Sequence, residues 1–243
     1  MNFVELVAIA SREEVFSAAI AWLLGESSPL DLNQRLTIIA NAFDLSFGDR
    51  RVARIVAETE WEEIDILLTL ESEDGTVVGR IAIENKINAT EHGQQLQRYN
   101  AKLNATFGEA EVNKVFLTVC GDAPHDADDW HARSYTDLRN GLNAVEPADR
   151  PDSVYVHDIQ RAVGNLVDLV AYVENPDIAK VAFREQEPND VKDQEQQQQA
   201  QYLRSARLEK LTQRTWMTRL ANRLHIPDVW ERPPVEETYA QAL

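Results

Sequence analysis

The chain has 243 residues, 44% of them hydrophobic, and a formal net charge of −17. That length suits one sizeable domain plus an appendage or two small domains, and that apolar content suffices for a real core. Its one cysteine, Cys120, excludes an internal disulfide framework and a multi-cysteine zinc site, no apolar run approaches the roughly 18 residues of a membrane span, and the acidic excess argues against simple electrostatic binding of nucleic acid.

In chain order, Met1 to Glu5 lacks the basic start of a signal peptide, so a cytoplasmic protein with no membrane attachment is expected. Over 11–24 the spacing predicts a helix, with Ser11 and Glu14 as a capping box and Val15, Phe16, Ala19, Ile20, Leu23 and Leu24 following at helical intervals. Asp31 can cap a second helix running to about Phe43. The pattern then changes: 54–61, 64–70 and 77–87 read as strands, and Glu73-Asp74-Gly75 is a turn signal between the last two. A helix over 91–103, a compact apolar strand over 112–119 and a helix over 135–145 follow. A short strand is predicted at Val154-Tyr155-Val156, then a helix over 158–172. The order, helices, a strand cluster and then alternating strand and helix, describes an α/β core with a mixed sheet.

After Asn175 the composition shifts, and we place the boundary of the α/β domain (1–180) there, with a linker, a long helix and an irregular tail in 181–243. Residues 194–201 are almost all Gln and Glu, and leucines continue at helical spacing, so 190–225 is read as a long helix that packs on the core or forms a homodimer with a second copy. Between Tyr202 and Arg223 this segment carries Arg204, Arg207, Lys210, Arg214, Arg219 and Arg223 against a single acid, Glu209. Such a strip can hold a phosphate backbone locally, or it can be a solvated helix face.

The residues that carry chemistry lie in the strand cluster. Side chains alternate faces along a strand, so Glu84 and Lys86 share one face while Ile81, Ile83 and Ile87 occupy the other. Asp65 interrupts the apolar run of the preceding strand, and if the two strands pair it can meet Glu84 on one side of the sheet. Charges in an apolar setting are costly unless something compensates them. A hard divalent cation does so, since Mg²⁺ prefers oxygen ligands and is often held by one or two carboxylates. A lysine two residues along the strand can orient an attacking water or stabilise charge developing on phosphorus. The same spacing also fits a plain strand-to-strand salt bridge.

Asp65 followed by Glu84-Asn85-Lys86 resembles the signature of the PD-(D/E)XK nuclease superfamily, an aspartate and then E-x-K on the next strand. The similarity continues in Arg12-Glu13-Glu14-Val15-Phe16-Ser17, in Glu84-Asn85-Lys86-Ile87-Asn88-Ala89, in Gln95-Leu96-Gln97-Arg98-Tyr99, in Lys114-Val115-Phe116-Leu117-Thr118 and in Ser134-Tyr135-Thr136-Asp137-Leu138. It covers about 11–145. The resemblance implies a restriction-endonuclease-like core and a nuclease cleaving DNA, in anti-phage defence or mobile-element biology. It implies Mg²⁺, with Mn²⁺ as a substitute, held by Asp65, Glu84 and the carbonyl of Asn85. Lys86 becomes the catalytic lysine, Glu13 the helical glutamate of the site and Gln95 a site or phosphate contact. Glu13 is also in line with Phe16, Ile20 and Leu24, so it faces inward, although an acid in a first helical turn is equally explained by the helix dipole. Gln95 and Tyr99 are four apart and share a helix face.

Two readings stand beside this one. The chain can be an inactive module that binds nucleic acid or protein through the same fold, or it can work through a protein partner suited to its acidic surface.

Overall fold

Alternating apolar residues along 64–87 build the centre of the molecule. The computed structural model describes residues 12–47, 51–87, 94–108, 112–124, 127 and 129–173. Strands β1 (Arg54–Trp61), β2 (Ile64–Glu71) and β3 (Val77–Lys86) form an antiparallel meander, β4 (Val112–Thr118) pairs with β3 in parallel, and β5 (His131–Ser134) pairs with β4 in parallel. The result is a five-stranded mixed sheet in the order β1-β2-β3-β4-β5. β3 therefore lies at its centre and is buried along its second half.

Helices cover both faces. Ile66, Leu68 and Leu70 of β2 and Ile81 and Ile83 of β3 point into the larger core. That core is closed by α1 (Arg12–Leu24), α2 (Leu32–Phe43), α4 (Tyr135–Asn143) and α5 (Ser153–Val173). Leu67, Ala82 and Phe116 point the other way, against Leu96, Tyr99 and Leu103 of α3 (Gln95–Phe107). The period of two along β2 and β3 thus sorts their side chains between two cores.

Local chemistry sets the helix ends. Asp31 caps α2 in a reciprocal capping box with Gln34, as its position suggested, and Ser134 with Asp137 does the same for α4. The buried guanidinium of Arg35 donates to the carbonyl of Gly25, just past the end of α1, at 2.8 Å, and the Ser28 N–H donates to the same oxygen at 3.3 Å. The β1–β2 turn is less conventional. Glu62 and Glu63 both take positive φ, 50° and 73°, which a two-residue hairpin turn demands and which Asn-Gly usually supplies. Lys102 on α3 holds this turn, donating to the Glu62 carbonyl at 2.8 Å and the Glu63 carboxylate at 2.7 Å. Tertiary contacts there offset a local cost.

Two sequence expectations need correction, and one strand was absent from them. Val154-Tyr155-Val156 is not a strand but the start of α5, one helix from Ser153 to Val173. Val154 and Tyr155 are exposed while Val156, Ile159 and Val163 are buried, which is helical spacing overriding a short β-favouring run. The helix placed at 91–103 is described from Gln95 to Phe107, the Tyr99 and Leu103 face running one turn further. β5 was not anticipated at all: His131-Ala-Arg-Ser has no apolar alternation, and only the parallel ladder with Val115–Thr118 makes it a strand. Ser11, the 190–225 helix, the basic strip at 202–223 and the tail lie outside the described residues. No described helix is long and apolar enough to cross a membrane.

Candidate active site

The site forms where β3 runs out between the N-terminal ends of α1 and α3. β2 and β3 pair with Ile66 opposite Ile83, so one step along the same register sets Asp65 opposite Glu84. The side-chain alternation that sends Ile83 into the larger core sends Glu84 and Lys86 to the α3 side. Lys86 Nζ lies 2.6 Å from Glu84 Oε1. On the facing helix Gln95 Nε2 donates to the same oxygen at 2.9 Å and lies 2.7 Å from the Tyr99 hydroxyl. The Asp65 carboxylate accepts the main-chain N–H of Asn85 at 2.7 Å.

Glu13 arrives from the other side of the sheet. Its carboxylate caps the end of β3, accepting the Ile87 N–H at 3.0 Å, and its second oxygen is 4.0 Å from Lys86 Nζ. All five side chains singled out from the sequence, Asp65, Glu84, Lys86, Glu13 and Gln95, therefore gather at one strand end. Asn85 sits among them with its amide side chain pointing to the α1 face, towards Ser17 and Tyr135.

This cluster is electrostatically costly as it stands. Glu84 is 1% exposed and Lys86 7%. Burial pushes the Asp65 carboxyl up to about 6, and the neighbouring charges of Glu60 and Glu13 add to the rise, against the Asn85 N–H and Lys86. Burial, then the charge of Asp65, pushes Glu84 up to about 7 despite its contact with Lys86. For Lys86, burial works against the charged form, but Glu84, Glu13 and Asp65 outweigh it and its pKa is raised, so the ammonium persists. Burial and Glu84 raise the Tyr99 phenol to about 12. Tyr99 therefore serves as a neutral hydroxyl.

Two buried oxygens in the cluster have no hydrogen-bond partner, Glu84 Oε2 and Gln95 Oε1. Unpaired buried acceptors beside two carboxyls with raised pKa values leave a local electrostatic cost that the side chains present do not offset. Among the described residues no group of three or more His, Cys, Asp and Glu side chains is disposed to hold a metal. A cation here would rest on the two carboxylates and main-chain or solvent oxygens, a set that suits a hard ion.

Ser17 and the side chains of Asn85 and Tyr135 escaped the sequence reading as site residues. Ser17 is 1% exposed on an otherwise apolar helix face, one turn from Glu13, and that misplaced hydroxyl was the available signal. Tyr135 lies in one of the segments that carry the resemblance, but an aromatic residue opening a helix is ordinary core, and nothing in the segment marked its hydroxyl.

A model of the PD-(D/E)XK nuclease superfamily matches residues 1–205. The chain belongs to that superfamily, and its mixed sheet flanked by helices is consistent with a restriction-endonuclease-like α/β fold. No curated protein and no solved structure matches it.

Proposed function

We propose that this member of the PD-(D/E)XK nuclease superfamily hydrolyses phosphodiester bonds of DNA with a divalent cation, Mg²⁺ or in its place Mn²⁺, held by Asp65, Glu84 and the Asn85 carbonyl. The observation that carries the reading is the unpaired, buried Glu84 Oε2 next to Asp65 and Lys86. In extended chain the N–H and C=O of a residue point to the same edge, so the Asn85 carbonyl faces the Asp65 side, as its N–H does. A bound cation would polarise the phosphate and lower the pKa of an attacking water. The chain's own groups do the rest. Lys86 places a permanent positive charge where negative charge develops on phosphorus. Glu13 and Glu84 hold that ammonium in place, and Gln95 steadies Glu84 from α3. By analogy with the family we assign the activity to anti-phage defence or mobile-element biology in the cytoplasm.

Cleavage assays on double- and single-stranded DNA and on RNA, with Mg²⁺, Mn²⁺ or chelator, test this directly. Lys86→Ala should abolish metal-dependent cleavage of DNA while the circular dichroism spectrum stays native. Full activity in that variant, or activity indifferent to chelator, would remove the assignment. The second reading is an inactive module of the same fold, and the net charge of −17 favours a protein over a nucleic acid as what it binds. Calorimetry showing no Mn²⁺ binding to the native chain would select it.

A further inference from the structure

We infer that Tyr135 is a positioning residue for the active site, acting through Asn85; the inference rests on the nuclease reading above for its catalytic consequence. Asn85 stands between Glu84 and Lys86 in the chain but projects to the opposite face of β3, where it is 0% exposed. Its side-chain amide is held on both ends. The Tyr135 hydroxyl donates to Asn85 Oδ1 at 2.9 Å, and Asn85 Nδ2 donates to Ser17 Oγ at 3.1 Å, with the Glu13 carbonyl at 3.4 Å. The Ser17 hydroxyl in turn donates to the Glu13 carbonyl at 2.7 Å. Each donor thus meets an acceptor in one direction, from α4 through β3 to α1.

The hydroxyl of Tyr135 is in the proper state for this. The side chain is 0% exposed, burial raises its pKa, and its ring packs edge-on against Phe16 at 6.0 Å. A fully satisfied polar chain inside an apolar core specifies one arrangement where apolar side chains would tolerate several. The arrangement specified here is that of the catalytic groups. Asn85 also gives its main-chain N–H to Asp65, so one residue ties β2, β3, α1 and α4 together at the strand end. Fixing the Asn85 side chain on one face fixes the roll of β3, and with it the directions of Glu84 and Lys86 on the other face. The Glu13 helix turn is held by the same contacts.

Tyr135→Phe removes one oxygen and keeps the ring. Second-layer contacts of this kind typically change metal affinity or activity by about 10–100-fold. We expect Mn²⁺ affinity by calorimetry and kcat each to fall by roughly that factor, KM for DNA to hold, and unfolding to remain cooperative. Ser17→Ala should act in the same direction, and the double variant should lose less than the product of the two losses. Ile55→Val, buried in β1 opposite Leu70 at the end of β2 away from Asp65, is the control for simple destabilisation and should leave Mn²⁺ affinity and kcat unchanged. A second measurement needs neither metal nor substrate: hydrogen exchange of the Asn85 amide should speed up in Tyr135→Phe by about tenfold or more beyond what the change in global stability accounts for, and in Ile55→Val only as far as the loss of stability requires. Native Mn²⁺ affinity, or native exchange at Asn85, in Tyr135→Phe would overturn the inference. If the native chain itself neither binds Mn²⁺ nor cleaves, the nuclease reading fails, and the exchange measurement alone decides whether Tyr135 positions Asn85.

Discussion

Replacing Asp65 by Asn should stabilise the metal-free protein at pH 8 while destroying its activity. The perturbation is small in shape: an amide oxygen can still accept the Asn85 N–H that Asp65 accepts at 2.7 Å. What disappears is a charge that burial disfavours. The Asp65 pKa stands at about 6 in the folded chain, against about 3.9 for an unperturbed aspartate. The sign follows from that order. Below pH ~4 the carboxyl is neutral in both states and costs nothing. As pH rises from there towards 6 the unfolded chain ionises first, so native stability falls and stays lower above pH 6. About two pKa units correspond to ~3 kcal/mol as an upper bound. Relief of Glu84, whose own pKa Asp65 helps to raise, adds to the gain, and the lost attraction to Lys86 subtracts from it. We expect a net ~1–3 kcal/mol, which for a domain of this size is a melting temperature higher by about 2–12 °C. Scanning calorimetry in chelator, with urea melts alongside, measures it for both proteins at pH 8 and pH 4. The difference should be present at pH 8 and close at pH 4. Saturating Mg²⁺ should then narrow it at pH 8, because only the native site binds the ion well. An Asp65→Asn variant no more stable than the native protein at pH 8, or equally advantaged at both pH values, would refute the electrostatic account of this site.

Gly141→Ala tests the packing of α2 on α4: a Cβ there would lie 2.9 Å from both the Ala42 Cβ and the Ile38 carbonyl, and backbone cannot yield as a side-chain tip does. We expect a loss of about 1–3 kcal/mol in urea melts with an unchanged slope; a neutral outcome would mean that the helices separate freely. Gln95→Ala removes the α3 contact to Glu84 Oε1 and should lower kcat by about 10-fold or more with little change in melting temperature. A native kcat would remove Gln95 from the site.

The two faces of β3 were legible in the chain itself. Period-two alternation around Ile81, Ile83 and Glu84 depends only on the pleat, so it placed Glu84 and Lys86 together and Ile83 apart from them. The helix read at 11–24, described from Arg12 to Leu24, the Asp31 cap and the three strands β1 to β3 were legible too, each resting on the pattern of neighbouring residues. What could not be read locally was anything that a distant segment supplies. His131–Ser134 is a strand only because β4 offers it a ladder, and Val154–Val156 is helical only because the core accepts Val156, Ile159 and Val163 on one side. The meeting of Tyr135 with Asn85, 50 positions apart, and of Glu13 with Ile87, 74 apart, is decided by how α4 and α1 pack on the sheet. Sequence by itself determined which residues share a face, because side-chain direction follows from backbone geometry one residue at a time. Which faces meet is settled only by the packing of distant segments, and with it where the buried charges concentrate and which oxygens of the cluster are left without a partner.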